Sequence, residues 1–243
     1  MKDPESLQRA YYARTAATYD HAHLREASAH DVGLLIIAGL ARSLAATSIV
    51  DVGAGTGRGV AQLGSLLPGV RVQGFEPVAE LVAEGHKKGI AADALLVADG
   101  RALPLADASV DIAIATGVLH HVPRPVAILD EMMRVARRAV FVSDANRFAQ
   151  GSLLARAVKL GLWSTGLWRA FDFVRTRGKG YMESEGDGVF FSYSVFDDLP
   201  RLAAWGERTL VVPLDPDPRL KGRWVARVGP LVIAPTVLVG ALR

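Results

Sequence analysis

The chain has 243 residues, half of them hydrophobic and 22% charged, a globular composition that excludes a disordered or fibrous protein. It contains no cysteine, which excludes disulfides, thiolate nucleophiles and cysteine-held zinc or iron–sulfur sites. A formal charge of +3 leans only weakly toward anionic partners. Arg134, Arg137 and Arg138 form a short basic cluster, and they fall in the last turns of a predicted helix, where cations complement the helix dipole. The polar opening Met1-Lys2-Asp3-Pro4-Glu5-Ser6 lacks a secretory apolar region, so the cytoplasm is the expected compartment. The apolar stretch 231–242 is interrupted by Pro235 and falls short of the roughly 20 residues a bilayer span needs. It reads as a buried strand with its approach, and no membrane partner is expected.

The first 45 residues read as helical. Leu34, Leu35, Ile37, Leu40 and Leu44 recur at helix spacing behind a polar Ser28-Ala29-His30-Asp31 entry. A strand over 48–52 runs into Gly53-Ala54-Gly55-Thr56-Gly57, and a helix over 58–67 stops at Pro68-Gly69. A second strand, 70–75, ends on Glu76-Pro77; a helix over 78–88 closes at Gly89; a third strand, 94–98, ends on Asp99-Gly100. The fourth strand covers 110–115. A helix over 125–138 follows, with Val126, Leu129, Met133 and Ala136 on one face. The fifth strand, 139–143, ends on Asp144.

This alternation predicts a parallel sheet with helices on both faces and ligands outside the carboxyl ends of the strands. Asp51, Glu76, Asp99, Thr116, His120 and Asp144 all fall at or just past strand ends, so they should share one rim. Beyond Asn146 the pattern loosens into amphipathic helices over 152–162 and 165–174, a Gly-rich stretch over 178–188 and a helix over 194–205. Two final strands, 209–214 and 235–242, complete the sheet. An insertion this long between the fifth and sixth strands predicts a functional lid.

Asp51-Val52-Gly53-Ala54-Gly55-Thr56-Gly57 carries the chemistry. Glycines in a strand-to-helix turn permit positive φ and close approach of a ligand. A dinucleotide fingerprint wants G-x-G-x-x-G facing a pyrophosphate. Here the third glycine comes one residue early, Arg58 stands where that pattern needs glycine, and the Asp51 carboxylate suits a cation rather than a pyrophosphate.

With its companions this motif resembles the class I S-adenosylmethionine-dependent methyltransferases, in their small-molecule, methyltransferase type 11-like branch. The resemblance runs from Tyr11 to about Asp144 in the family's order. Ala17-Thr18-Tyr19-Asp20 is similar to the N-terminal lid segment, Phe75-Glu76-Pro77 to the acidic end of strand two, and Ala98-Asp99-Gly100 with 103–111 to the third segment. Gly117-Val118-Leu119-His120-His121-Val122 is similar to the fourth. The resemblance implies a doubly wound, mostly parallel seven-stranded Rossmann-like α/β sheet with a C-terminal antiparallel hairpin and a helical lid insertion. It implies one methyltransferase domain over 1–243: an N-terminal helical lid to about 45, a cofactor core over 46–145, the lid insertion over 146–195 and the last strands over 206–243.

By the same resemblance S-adenosylmethionine is the cofactor and S-adenosylhomocysteine its product. Asp51 with Gly53, Ala54, Gly55 and Gly57 would hold the methionine portion. Glu76 would accept from the ribose hydroxyls, and Asp99 with Gly100 would take the adenine. Thr116 and Gly117 would meet the sulfonium region, and Tyr11 and Tyr19 would close over the ligand, ordinary packing being the alternative for both tyrosines.

Methyl transfer is an in-line displacement in which the cofactor carries the reactive group and the protein supplies orientation and a base. His120 or His121, with Asp144 as orienter, are the candidates, because an imidazole titrates near neutral pH; packing of the sheet rim is the alternative role for both histidines. Strand four ends in Thr116-Gly117 rather than a carboxylate, so no metal is expected. His21, His23 and His30 read as surface or helix-face residues. Tyr181, Phe190, Phe191 and Tyr193, amid Glu183, Glu185 and Asp187, are expected to line an acceptor pocket for a sugar, an aromatic ring or an amine, with a solvated acidic hairpin turn as the alternative for the acids. The expected reaction is methylation of an O or N atom of a small molecule, such as a sugar or natural-product intermediate. A homodimer is left open. The rivals are a nicotinamide-dependent oxidoreductase, disfavoured by the glycine spacing, and a nucleic-acid methyltransferase, disfavoured because neither cysteine nor an Asn/Asp-Pro-Pro-aromatic motif is present. A non-catalytic binding subunit is disfavoured by the intact cofactor motif.

Overall fold

The computed structural model describes residues 3–23, 28–217 and 231–243. Residues 1–2 and 24–27, inside the predicted N-terminal helical stretch, lie outside the described residues. Helices α1 (Pro4–Thr15), α2 (Tyr19–His23) and α3 (Ala29–Ser43) lead into β1 (Ser48–Val52). Then come α4 (Arg58–Leu66), β2 (Arg71–Glu76), α5 (Ala79–Lys87), β3 (Leu95–Val97), β4 (Val110–Thr116), α6 (Pro125–Val135) and β5 (Ala136–Ala145). The remainder is α7 (Leu153–Ser164), α8 (Trp168–Arg175), β6 (Met182–Ser184), β7 (Gly188–Phe190), α9 (Leu199–Trp205), β8 (Arg208–Pro213) and β9 (Thr236–Leu242).

Seven strands form one sheet in the order β3-β2-β1-β4-β5-β9-β8. The first five run parallel, and β9 is antiparallel to both β5 and β8. The order reverses between β1 and β4, the switch point at which such sheets open a crevice. Alternate residues of each central strand feed opposite cores. Val50, Val52, Ala113 and Ala115 pack with α6 on one side, and Ile49, Ile112, Ile114 and Phe141 pack with α3 and α4 on the other. Burying each of the larger aliphatic chains contributes about 1.5–3 kcal/mol. Helix α3 begins with a capping box between Ser28 and Asp31 and turns Leu34, Ile37 and Ala41 into the core. Of the face its spacing predicts, Leu34 and Ile37 are buried, Leu40 and Leu44 are half-buried and Leu35 is 52% exposed.

Three boundaries differ from the sequence reading. Helix α6 stops at Val135, and Arg137 and Arg138 belong to β5 rather than to a helix end. From there Arg137 donates to the buried Asp111 carboxylate at 2.7 Å and Arg138 Nε is ion-paired with it at 2.9 Å; an acid sunk in a central strand needs these cations. The helix expected over 194–205 is split into a short 3-10 turn, Val195–Asp197, and α9, which starts beside Pro200, as proline favours a first turn. The lid is not purely helical, because β6 and β7 form a separate antiparallel hairpin. No helix among the described residues is long and apolar enough to cross a membrane.

Candidate functional site

A cleft opens above the carboxyl ends of β1, β2, β3 and β4, and α1 roofs it. Its floor is the β1–α4 turn. Gly53 sits there at φ +74°, and a Cβ at that point would lie 2.6 Å from Val118, so only glycine keeps the turn and its neighbour in place. Gly53, Gly55, Glu76, Asp99, Gly100, Gly117 and Tyr19 line the cleft. Ala54 and Thr116 line a small adjoining pocket with Thr56, Arg58 and Gly59. Gly57 is packed away from both, its Cβ position 2.2 Å from Ile90.

Asp51 lies beneath this turn, 1% exposed, and neither carboxylate oxygen has a hydrogen-bond partner. Burial raises its pKa to about 7 against the opposing pull of Arg58. A Cβ on Gly59 would stand 2.2 Å from Asp51 Oδ2, so this glycine in α4's first turn is what leaves room for the carboxylate. A dry, unpaired carboxylate is costly, and a cationic donor would relieve it. Glu76, at the end of β2, is buried too. Its Oε2 accepts from the Gly55 amide and its Oε1 from the Val78 amide, each at 3.0 Å, and burial raises its pKa to about 7 against those bonds. Each oxygen retains a lone pair toward the cleft.

Asp99 closes the far end. It accepts from Arg101 Nε at 2.9 Å, Arg101 Nη2 at 2.6 Å and Arg9 Nη2 at 2.7 Å, bonds that hold its carboxyl well below the usual range, led by Arg101. Glu5 completes this four-membered cluster.

The turn after β4, Leu119–His121, is held by Asp144 of β5. Asp144 Oδ2 accepts from the Val118 and Leu119 amides at 2.9 and 2.7 Å, and Oδ1 lies 2.6 Å from His120 Nδ1. His121 Nδ1 lies 2.7 Å from the Val189 carbonyl and its Nε2 lies 3.0 Å from the Tyr12 hydroxyl. These partners assign Nδ1–H donation in both rings. Asp187, from the β6–β7 turn, sits 3.9 Å from His120 Nε2 and 3.5 Å from His121 Nε2. Burial alone would lower the His120 pKa, but the charge and hydrogen bond of Asp144, joined by Asp187, push it to about 10. The expectation of an imidazole titrating near neutrality is therefore corrected: between two carboxylates the ring holds its proton.

A second cavity lies on the other side of His120. Phe190, Phe191, Tyr193 and Trp168 wall it, with Arg147, Lys159 and Arg175 around them. Tyr181 is outside that lining, buried with its ring centroid 6.2 Å from Phe191. Tyr193 donates to Asp198 at 2.5 Å. His120 lines the second cavity and His121 the first; their ring centroids are 3.9 Å apart, so the two cavities meet at this pair.

Tyr11 does not line the cleft. Its hydroxyl donates to the Glu185 carbonyl at 2.9 Å, and Tyr12 is the tyrosine that faces inward. One residue along a helix is a rotation of about 100°, enough to exchange their roles. Glu5, Gln8, Arg9 and Tyr12 also enter the cleft, and none was expected there. Their i, i+3, i+4, i+7 spacing is the signal that marks one helix face. His23 and His30, expected as surface or helix-face residues, lie half-buried on α2 and α3: His23 packs on Tyr19 at 4.6 Å and His30 lies 2.8 Å from Ser143 Oγ beside Gly117. Among the described residues, His120, His121 and Asp187 bring one potential metal-ligand atom each to within 4.8 Å of one another, a grouping the sequence did not suggest because Asp187 arrives from the lid.

A family model described as a methyltransferase domain matches residues 50–142. An uncharacterized methyltransferase of Mycobacterium avium is 31% identical over 188 residues, covering 77% of this chain and 71% of that protein. In fold the chain is similar to magnesium protoporphyrin IX methyltransferase of Synechocystis (TM-score 0.60, 15% identity, 99% of this chain and 100% of that one). It is also similar to a possible histamine N-methyltransferase of Thermotoga maritima (TM-score 0.56, 18% identity, 96% and 98%). The chain belongs to the class I S-adenosylmethionine-dependent methyltransferases. S-adenosylmethionine is accordingly its methyl donor, and the unpaired Asp51 carboxylate beside a cleft rimmed by Glu76 and Asp99 fits a ligand that carries an ammonium at one end.

Proposed function

We propose that the enzyme methylates an oxygen or nitrogen atom of a small molecule bearing an acidic group. Bound S-adenosylmethionine supplies an activated methyl group; Asp51, Glu76 and Asp99 would hold it, with the glycine turn, Ala54, Thr116 and Gly117 beside its reacting end. The acceptor would occupy the second cavity against Phe190, Phe191 and Tyr193, with Tyr181 supporting that wall.

The observation that carries the reading is the charge of this cavity. Arg147 lies 4.7 Å over the Phe148 ring and 5.1 Å over Trp168. Its Nη atoms pair with Asp197, but its buried Nε has no partner. Lys159 Nζ donates to the carbonyls of Arg147 and Gln150 at 2.8 and 3.0 Å and meets no carboxylate among the described residues. Arg175 is paired with Asp172 and the Asp187 carboxylate also lines the cavity, so among the described lining residues Lys159 is the cation left to meet an anion. Aromatic walls beside it suit a planar or apolar body carrying a carboxylate or phosphate. This sharpens the sequence expectation, under which a neutral sugar or an amine was equally acceptable.

His120 stands where the two cavities meet, its Nδ1 fixed on Asp144, and would take the acceptor's proton at Nε2. A raised pKa makes the neutral ring scarcer and more basic. His121, bound to Val189 and Tyr12, would position the roof rather than exchange protons.

The test is transfer of labelled methyl from S-adenosylmethionine to a panel of small acids, their methyl esters, neutral sugars, and DNA and RNA. Label in the acids and at least tenfold less in their neutral esters is expected; preferential label in nucleic acid sinks the proposal. Dialysis against a chelator is expected to leave turnover within about twofold. A loss restored by one divalent cation would instead make His120, His121 and Asp187 metal ligands.

A further inference from the structure

We infer that the α7–α8 hairpin is a docking surface for an anionic phospholipid membrane, a reading that does not depend on the identity of the acceptor. Of the twelve large hydrophobic side chains most exposed among the described residues, eight lie between Leu153 and Val174. Leu154 and Val174 are 75% exposed, Phe173 64% and Leu167 55%. Isolated exposed leucines need no explanation, but such a concentration on one helical pair marks an interaction site.

The charge of the same segment chooses the partner. Residues 151–181 hold six cations and one acid, Asp172; of the six, Arg156 is buried on Asp217 at 2.5 Å and Lys179 lies 3.6 Å from Glu183. That is a net +5, and Arg219, Lys221, Arg223 and Arg227 add +4 over 218–230, which leaves −6 on the rest of a chain whose total is +3. Arg169 and Arg177 meet no carboxylate among the described residues, whereas Arg175 is taken by Asp172 at 2.6 Å. Aromatic and leucine side chains beside arginines are the composition of a helix that lies in the headgroup layer. Helix α7 has 12 residues, about 18 Å at 1.5 Å per residue, too short to cross a bilayer but long enough to lie on one. A second copy of this chain is a poorer occupant, since a twofold contact through the hairpin would bring the like charges of both copies together.

The placement also has a use. Lys159 of α7 and Trp168 and Arg175 of α8 face the second cavity, so the hairpin's inner side is a cavity wall while its outer side is apolar. A membrane bound to the outer side would place the cavity at the lipid surface, where amphiphilic acids partition.

The experiment is co-sedimentation of the full chain with vesicles of phosphatidylcholine alone and of phosphatidylcholine with phosphatidylglycerol, at low and high salt. Binding to the anionic vesicles is expected, weakening as salt screens the cations. Leu154→Glu with Phe173→Glu should abolish binding, and Arg169→Gln with Arg177→Gln should weaken it by roughly thirtyfold, both with unchanged affinity for S-adenosylhomocysteine, which certifies the fold. No binding by the unaltered chain overturns the inference, as does binding that survives the Leu154/Phe173 pair. A concentration-dependent dimer that this pair dissolves would assign the face to a second copy and overturn it equally.

Discussion

Asp51→Asn is expected to weaken binding of S-adenosylhomocysteine by about 30-fold, the loss of roughly 2 kcal/mol for a charge-assisted hydrogen bond made in a dry site. The ground is that both Asp51 oxygens are buried without a protein partner, so the ammonium of a bound ligand would be the group that compensates them. The same geometry fixes a pH dependence. Burial raises the Asp51 pKa to about 7, and an ammonium beside it would lower that value again, so binding expels a proton. Affinity should therefore rise with pH, by about tenfold between pH 6 and 8 for this group alone, and the asparagine variant should lose that slope. Glu76, also raised to about 7, adds its own dependence only insofar as the ligand favours its charged form.

Stability runs the other way in the ligand-free protein. A carboxyl whose folded pKa is raised favours the folded state at low pH, and this advantage is lost as pH rises through about 7. Ligand-free Tm should thus fall from pH 5 to 8 and fall less in Asp51→Asn. Calorimetric titration in buffers of different ionisation heat reads the proton release directly. Unchanged affinity in the variant would mean that the carboxylate does not face the cofactor.

How much of this site could be read from the chain depends on the range of the forces that build it. The strand ends at Asp51, Glu76, Asp99 and Asp144 were legible because a short apolar run followed by an acid is a local pattern that the parallel sheet turns into one rim. The face of α1 was not. Glu5, Gln8, Arg9 and Tyr12 have the polarity of a solvated helix face, and Arg101, which pairs with Glu5 at 2.8 Å, lies 96 residues along the chain. Their periodicity was visible; the surface it met was not. Asp187 was missed for a related reason. In Glu185-Gly186-Asp187-Gly188 it reads as a hairpin turn open to water, and only the packing of that turn against the end of β4 brings its carboxylate onto the two imidazoles. The same long-range step corrected the basic cluster: Arg137 and Arg138 look like helix-terminal cations until Asp111, buried 26 residues earlier, is placed beneath them.

His120→Gln is expected to lower turnover by about 10²–10³-fold while leaving S-adenosylhomocysteine affinity within about twofold, the range a positioned general base supplies. The pH profile separates this from a structural role. With its pKa pushed to about 10 by Asp144 and Asp187 against burial, the unaltered enzyme should gain rate continuously from pH 7 toward 10, one decade per unit where the neutral ring is the minor form. Asp144→Asn removes the nearest anion, so the ring should lose its proton at lower pH and the rising limb should move down by more than one unit, with a lower plateau because the weaker base and the loosened 118–120 turn both cost rate. Asp187→Asn should move the limb the same way without loosening that turn, since Asp187 accepts from neither the Val118 nor the Leu119 amide. Stability must be followed in parallel. The raised His120 pKa means that its ion pair contributes fully below about 6.5 and is lost as pH climbs through about 10, while the Asp144 carboxyl, lowered to about 2 chiefly by His120 against burial, contributes above about 4 and is lost as pH falls through about 2. Rate and Tm should therefore diverge on the alkaline side, activity rising while stability declines. If instead all three variants keep the limb where the unaltered enzyme has it, the proton leaves by another route and the His120–Asp144 pair only packs the sheet rim.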